Sequence, residues 1–351
     1  MPGADSFFRV APKAELHLHL QGCVRAATLL ELARRHRIDI PASTVDEVRQ
    51  WFRFRDFRQF VETFAVLRAC LVDPEDYELV TWELGAELAA QHVRYAELTF
   101  TPGPEVYLGP RETFCDGLTR GRLRVRQDFG VELRWIFDIP RRTVTLHPDL
   151  PLMDFITDVA IDGRDDGVVA LGLGGTELGY PPERFEKWFD RARAAGLHSA
   201  PHAGETAGPE SVWGALRALG AERLGHGVHC VDDPALLEYV MQQRIGLEVC
   251  PTSNIALGVY PSLAEHPLHA LWAAGARVTV STDTPAIFDI SLSSELALLE
   301  SEFALSPEDV DRVILNAFEL SFLPEPEKAG LMASARAELA ALHREGTPDG
   351  A

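Results

Sequence analysis

At 351 residues the chain is longer than a minimal domain and short for two independent ones, and its 46% hydrophobic and 25% charged residues suit a globular protein. The formal net charge of −20, from 33 basic and 53 acidic residues, argues against nucleic acid or an anionic membrane surface as a partner. The chain has neither a run of about 18 apolar residues to span a bilayer nor a basic segment followed by an apolar one at its start, and its five cysteines are scattered without a C-x-x-C pair. The expectation is therefore a cytoplasmic protein with reduced thiols.

Short apolar runs alternate with longer amphipathic ones. The strand-like runs are 15–20, 93–100, 131–139, 168–173, 197–202, 223–226, 245–249 and 278–283, with helical stretches between them such as 112–129, 182–195, 209–219, 234–243 and 266–274. Proline near the first turn and glycine just past the last residue (Gly130, Gly196, Gly220, Gly275) mark helix starts and stops. Eight strands separated by helices predict an α/β fold with a parallel sheet, and that number favours a closed (β/α)₈ TIM barrel over an open doubly wound sheet. No G-x-G-x-x-G follows the first strand, which weakens the dinucleotide-binding alternative. A mostly helical insertion over 26–90 extends the loop after the first strand, and helices from 292 onward are expected to cover one end of the barrel. No linker or fixed-period repeat is present, so one domain over 1–351, with a core of about 12–330, is expected.

In such barrels the chemistry gathers at the C-terminal ends of the strands. His17 and His19, two apart in the first strand, point to one face. His202 ends the fifth strand in the string HAGE, His226 the sixth in GHG, and Asp283 the eighth in VSTD. Any one of these alone is more often a structural residue. Together, His17, His19, His202 and Asp283 are a nitrogen-and-oxygen donor set that suits one zinc ion per chain with a position left for water, although iron, manganese or cobalt would also fit. Glu205, three residues past His202, is placed to act as a general acid; the competing reading is a carboxylate at a helix N-terminus. His36, His92, His147, His266, His269 and His343 are expected at the surface or as caps. His198 opens the fifth strand at the wrong end for catalysis, and His229 lies three residues past His226.

The strings HLHLQG (17–22), GLGGTE (172–177), HAGE (202–205), GHG (225–227), CPTSN (250–254) and STDTP (281–285), in this order over nearly the whole chain, resemble the adenosine deaminase family. The spacing of Phe57, Phe60 and Phe64 resembles the family's segment after the first strand. The resemblance implies zinc on His17, His19, His202 and Asp283, with Glu205 protonating ring nitrogen N1 of a purine. It also implies that His226 orients the attacking water, that Asp283 accepts a proton from it, and that the Gly175 N–H binds N3. His19, Gln21, Gly175 and Thr284 are the implied substrate-facing positions. The departures fall among these: Thr284 stands where the family has a second aspartate, Gln21 where adenosine-specific members have an acid, and Gly172 and Thr176 where acids are usual.

The implied reaction is hydrolytic deamination of a 6-aminopurine nucleoside, adenosine or a relative, to the 6-oxo purine and ammonia. A modified adenosine such as aminodeoxyfutalosine, or adenine itself, is the alternative substrate. The segment 49–60 reads as an amphipathic helix with a solvated basic face. Alternatively it is a lid whose Arg49, Arg53, Arg55 and Arg58 meet an anionic group on the substrate. A two-metal barrel hydrolase is disfavoured because none of the three lysines falls at a strand end, and a cytidine-deaminase-type enzyme because P-C-x-x-C is absent. A catalytically inactive purine-binding protein on the same scaffold is the competing reading from another class. The sequence specifies no oligomeric state.

Overall fold

The structure is a computed structural model and describes residues 4–54 and 57–346. Its strands are β1 (Lys13–His19), β2 (Val93–Phe100), β3 (Glu132–Pro140), β4 (Val168–Gly174), β5 (His198–Ser199), β6 (His202–Ala203), β7 (Arg223–His226), β8 (Gly246–Val249) and β9 (Arg277–Val280). They pair in parallel in chain order, in one run from β1 to β5 and another from β6 to β9. Two seams join the runs into the predicted eight-stranded barrel. At the first, β5 and β6 are one strand interrupted by Pro201, which has no N–H to give to a ladder; Ala200 N–H still donates to Leu171 O at 3.1 Å and Gly225 N–H to Pro201 O at 3.0 Å. At the second, His19 N–H donates to Asp283 O at 2.8 Å and Asp283 N–H to His17 O at 3.0 Å, so the chain beyond β9 closes onto β1.

The fifth strand thus differs from the unbroken run expected over 197–202. The eighth stops at Val280, earlier than expected. The 26–90 insertion is helical as expected, in the helices Ala26–His36, Val45–Trp51, Phe57–Ala69 and Pro74–Ala90. Residues 49–60, expected as one helix, instead span the end of one of these and the start of another. Among the described residues no helix is long and apolar enough to cross a membrane.

Every residue of β1 is buried. Leu16 and Leu18 pack into the main apolar core, while the alternate residues Lys13, Glu15, His17 and His19 make polar contacts inside the barrel. The interior is a column of paired charges. Arg223 on β7 lies between Glu97 on β2 and Glu248 on β8 and donates to both carboxylates. It also donates to Leu320 O at 2.6 Å, and Phe322 N–H donates to Glu97 Oε1 at 2.6 Å. The segment after the helix Pro307–Glu319 therefore seals the N-terminal end of the barrel, as expected for the late helices. Burial pulls the Arg223 guanidinium down, but its two carboxylates outweigh that and hold it above its ordinary value.

Arg223→Ala would leave two buried carboxylates without their cation. Its expected cost is about 3–5 kcal/mol of unfolding free energy in urea denaturation. A loss below about 1 kcal/mol would show that the column is not what holds this end of the barrel together.

Candidate active site

The opposite, C-terminal end of the barrel brings His17, His19, His202, His226 and Asp283 into one buried cluster. His19 Nε2 and His202 Nε2 stand 3.1 Å apart, and Asp283 Oδ1 lies 3.5 Å from His19 Nε2 and 3.9 Å from His17 Nε2. Burial first, and neighbouring imidazoles second, lower the proton affinity of His17, His19 and His202 well below the ordinary value. They are therefore neutral, the form that binds metal. His17 Nε2 is buried and has no hydrogen-bond partner among the described residues, yet it faces this cluster. Converging neutral nitrogens, an orphaned one among them, beside a carboxylate fit a divalent cation.

Two of these candidate donors are themselves held in place. His17 Nδ1–H donates to Glu248 Oε2 at 2.9 Å, which leaves the Nε2 lone pair facing the cluster. Ser253 Oγ donates to Asp283 Oδ2 at 2.6 Å, while burial raises Asp283 to about 7. A longer relay sets His226. Leu268 N–H donates to His266 Nδ1 at 3.2 Å, so the proton of a neutral His266 sits on Nε2 and goes to Asn254 Oδ1 at 3.1 Å. The Asn254 amide then donates to His226 Nδ1 at 3.2 Å. This places the His226 proton on Nε2, which faces Glu205 Oε1 at 3.6 Å. Burial lowers His266 to about 4, consistent with the neutral ring this relay requires.

Glu205 is buried, and burial, together with the charges of Asp283 and Glu177, holds its carboxyl well above the ordinary range. Its loop is fixed by Glu177, which accepts from the N–H groups of Gly204 (2.9 Å), Glu205 (2.8 Å), Thr206 (2.8 Å) and Ala207 (3.3 Å), and from Ser211 Oγ. From the other side Arg141 donates to His202 O at 2.6 Å. Two site residues, His226 (φ 62°) and Asp283 (φ 63°), have left-handed backbones, a strain that side chains other than glycine rarely accept.

A cavity of about 200 Å³ opens above the cluster. His19, His202, Glu205, His226 and Asp283 line it, as do Thr101, Asp138 and Gly175; Phe57, Phe60, Phe64 and Arg68 face it from one helix, and Arg142 and His147 from the loop after β3. Gly175 (φ 83°) thus lies where a ring edge can approach its backbone. Gln21 and Thr284 do not line the cavity. Both are fully buried, Gln21 Nε2 donating to Thr101 O at 3.2 Å and Thr284 packing against Gly22.

The basic residues of 49–60 are also elsewhere. Arg49 and Arg53 line a separate groove, Arg58 pairs with Glu62, and Arg55 lies outside the described residues. Two of the histidines expected at the surface or as caps also serve the site: His147, half-buried and at the C-cap of Thr143–Leu146, lines the cavity, and His266, which accepts from Leu268 N–H at a helix start, is buried in the relay. His229 pairs with Asp232, and His198 with Glu222 at the other end of the barrel.

Sequence reasoning passed over Glu248, Asn254, Glu177, Arg141 and Asp138. Asn254 and Glu177 close the strings CPTSN and GLGGTE, so a signal for them existed. Glu248 sits in an apolar strand with no pattern around it.

Glu248→Gln is expected to weaken metal binding about 10- to 100-fold, read by competition with a chelator; an unchanged affinity would separate Glu248 from the donor set. Asp138 gives a pH test. Burial raises its carboxyl from 3.8 to about 8, with Thr101 and Arg141 opposing. The folded state therefore loses stability as pH rises from the unfolded toward the folded value. Asp138→Asn should gain on the parent protein in thermal melts between pH 5 and about pH 8 and no further above that. A gap that does not change with pH would contradict this.

The fold and cluster define a metal-dependent hydrolase on a (β/α)₈ barrel. The chain belongs to the adenosine deaminase family, whose model matches residues 12–337, and it is a hydrolytic aminohydrolase. It is 41% identical to the aminodeoxyfutalosine deaminase of Streptomyces avermitilis, over 93% of this chain and 91% of that protein. It is 36% identical to the adenine deaminase of Geotalea uraniireducens, over 91% and 89% of the two chains. Among solved structures it resembles an amidohydrolase of Burkholderia ambifaria with bound Zn, at TM-score 0.88 and 29% identity, covering 98% of this chain and 95% of that one.

Proposed function

We propose that this protein carries out zinc-dependent hydrolytic deamination of a 6-aminopurine nucleoside, adenosine or a derivative of it, to the 6-oxo purine and ammonia. The observation that carries this reading is the convergence of the buried Glu205 carboxyl with the His19, His202 and Asp283 donors on one cavity, and of His17 with the same donors in one cluster. One zinc ion held by those four residues supplies the acidity that lets water attack at neutral pH.

The protein's own groups do the rest. Glu205, held protonated by its surroundings, gives its proton to ring N1 and makes C6 electrophilic. His226, with its proton fixed on Nε2, donates toward the attacking oxygen and orients it. Asp283 accepts a proton from the water. The water oxygen becomes the 6-oxo group; of its two protons, one ends on N1 through Glu205 and the other leaves with the amino group as ammonia. The Gly175 N–H binds N3 and sets the plane of the ring. The net charge of −20 repels polyanionic partners, and five scattered cysteines without a C-x-x-C pair suit reduced thiols in the cytoplasm.

A second reading within the same class is an adenosine with an anionic 5′ extension, aminodeoxyfutalosine being the example. It is favoured by the presence of Arg68 and Arg142 beside Phe57, Phe60 and Phe64 in the cavity lining, and by the likeness to the S. avermitilis protein.

The test is ammonia release by the zinc-loaded protein from adenosine, 2′-deoxyadenosine, adenine and aminodeoxyfutalosine. At least one is expected to turn over, and Glu205→Gln to lower kcat by about 10²- to 10⁴-fold with metal content unchanged. Silence across the panel from metal-loaded protein would overturn the deaminase reading.

A further inference from the structure

Asp138 has no part in the chemistry above, yet its position on β3 sets its carboxyl against the cavity. The residue is 2% exposed; Oδ2 accepts from Thr101 Oγ1 at 3.3 Å, and Oδ1 is buried with no hydrogen-bond partner among the described residues. The neighbouring strand makes room for it. A Cβ at Gly172 would stand 2.9 Å from Oδ1, and one at Gly174 would overlap Oδ2. Arg141, the nearby cation, sends its two Nη groups to the carbonyls of Tyr180 and His202 instead. A buried carboxyl kept for structure would have both oxygens satisfied, because an unmet buried acceptor is costly.

Barrel order says which side of the cavity the carboxyl lies on. The donor set and Glu205 are carried by β1, β6 and the segment after β9, with His226 on β7; β8 lies among these strands, and β3 stands across the mouth from β8. A purine set with C6 over the donors therefore turns its opposite edge toward β3. In a purine that edge is N3, with sugar-bearing N9 beside it, and in a nucleoside whose base is anti to the sugar the pentose group nearest N3 is the 2′-hydroxyl. Gly175, one residue past β4, adjoins the same edge.

We propose that Asp138, oriented by Thr101, binds the 2′-hydroxyl of the substrate's pentose and selects a ribonucleoside over a 2′-deoxynucleoside or a free base. This rests on the deaminase reading. A hydroxyl both donates and accepts, so it pairs with the Asp138 carboxyl whether that group is ionised or neutral. Its elevated proton affinity accords with a group that awaits a partner.

The experiment compares kcat/KM for adenosine, 2′-deoxyadenosine, 3′-deoxyadenosine and adenine in the parent enzyme, Asp138→Ala and Thr101→Val. Asp138→Ala is expected to lower the values for adenosine and 3′-deoxyadenosine by roughly 10- to 100-fold, mostly through KM, and to leave the 2′-deoxynucleoside and adenine within about threefold. Thr101→Val, which removes only the orienting hydrogen bond, should lower the ribo-to-deoxy ratio in the same direction by a smaller factor. An equal fall on all four substrates, or an unchanged ratio in both variants, overturns the assignment. So does a loss on adenine as large as that on adenosine, because the carboxyl would then be reading the ring. If Asp138→Ala fails to fold by circular dichroism, the Thr101→Val ratio decides alone. If aminodeoxyfutalosine alone turns over, an unchanged KM for it in Asp138→Ala overturns the assignment; silence of the parent enzyme on that substrate and on these four overturns the deaminase reading and this assignment with it.

Discussion

The site depends on an arginine that never touches it. Barrel interiors of this class are commonly filled by branched aliphatic side chains. Here Arg223 is held between Glu97 and Glu248, and the second oxygen of Glu248 takes the Nδ1 proton of His17. The tautomer of a histidine in the candidate metal cluster is thereby linked through two carboxylates and a guanidinium to the segment that seals the far end of the barrel. A buried ion pair is weak evidence for net stability, because desolvation offsets most of the attraction. What this column provides is orientation: an apolar interior would pack as well and leave His17 free to turn.

The same trade recurs around the mouth. His226 and Asp283 hold left-handed backbones, and Glu205, Asp283 and Asp138 are carboxyls whose charge the surroundings resist. Each of these features is unfavourable to folding when taken alone. They persist because the surroundings over-determine them. The Glu205 loop is tied down by the hydrogen bonds to Glu177, and Asp283 by the backbone pairs that close the barrel. Two glutamates of one neighbourhood thus receive opposite tasks from their environments: Glu177 accepts from a nest of N–H groups, and Glu205 sits dry beside like charge.

Much of this was legible in the sequence, and the reason is periodicity. Strands that alternate with helices fix the barrel, a spacing of two puts His17 and His19 on one face, and strand ends locate His202, His226 and Asp283. Less legible were contacts made across the barrel, because nothing local marks them. Glu248 reads as an odd acid in an apolar strand until β7 and β1 are seen beside it. His266 reads as a helix-start residue until Asn254 is seen to join it to His226. Gln21 and Thr284 sit next to motif residues in the chain, but sequence adjacency at a strand end does not say which side chain reaches the cavity. Both turn into packing, while Asp138, in a segment with no motif, turns toward the mouth.

That last contrast bears on how such a barrel changes substrate. The donor set and the acid are carried by β1, β6, β7 and the chain beyond β9, whereas Thr101, Asp138 and Gly175 come from β2, β3 and β4 or the residues just after them. The two groups share a cavity but no strand, and loops and strand ends of a barrel vary with little effect on the ladder beneath them. The glycines at 172 and 174 illustrate the consequence. Where the resembling pattern carries an acid on β4, this chain carries none and uses the vacated volume for a carboxyl from β3. A carboxyl thus stands against the cavity from β3, with the glycines of β4 leaving room for it. A reaction can therefore be retained while the groups that read the rest of the molecule are rebuilt around it.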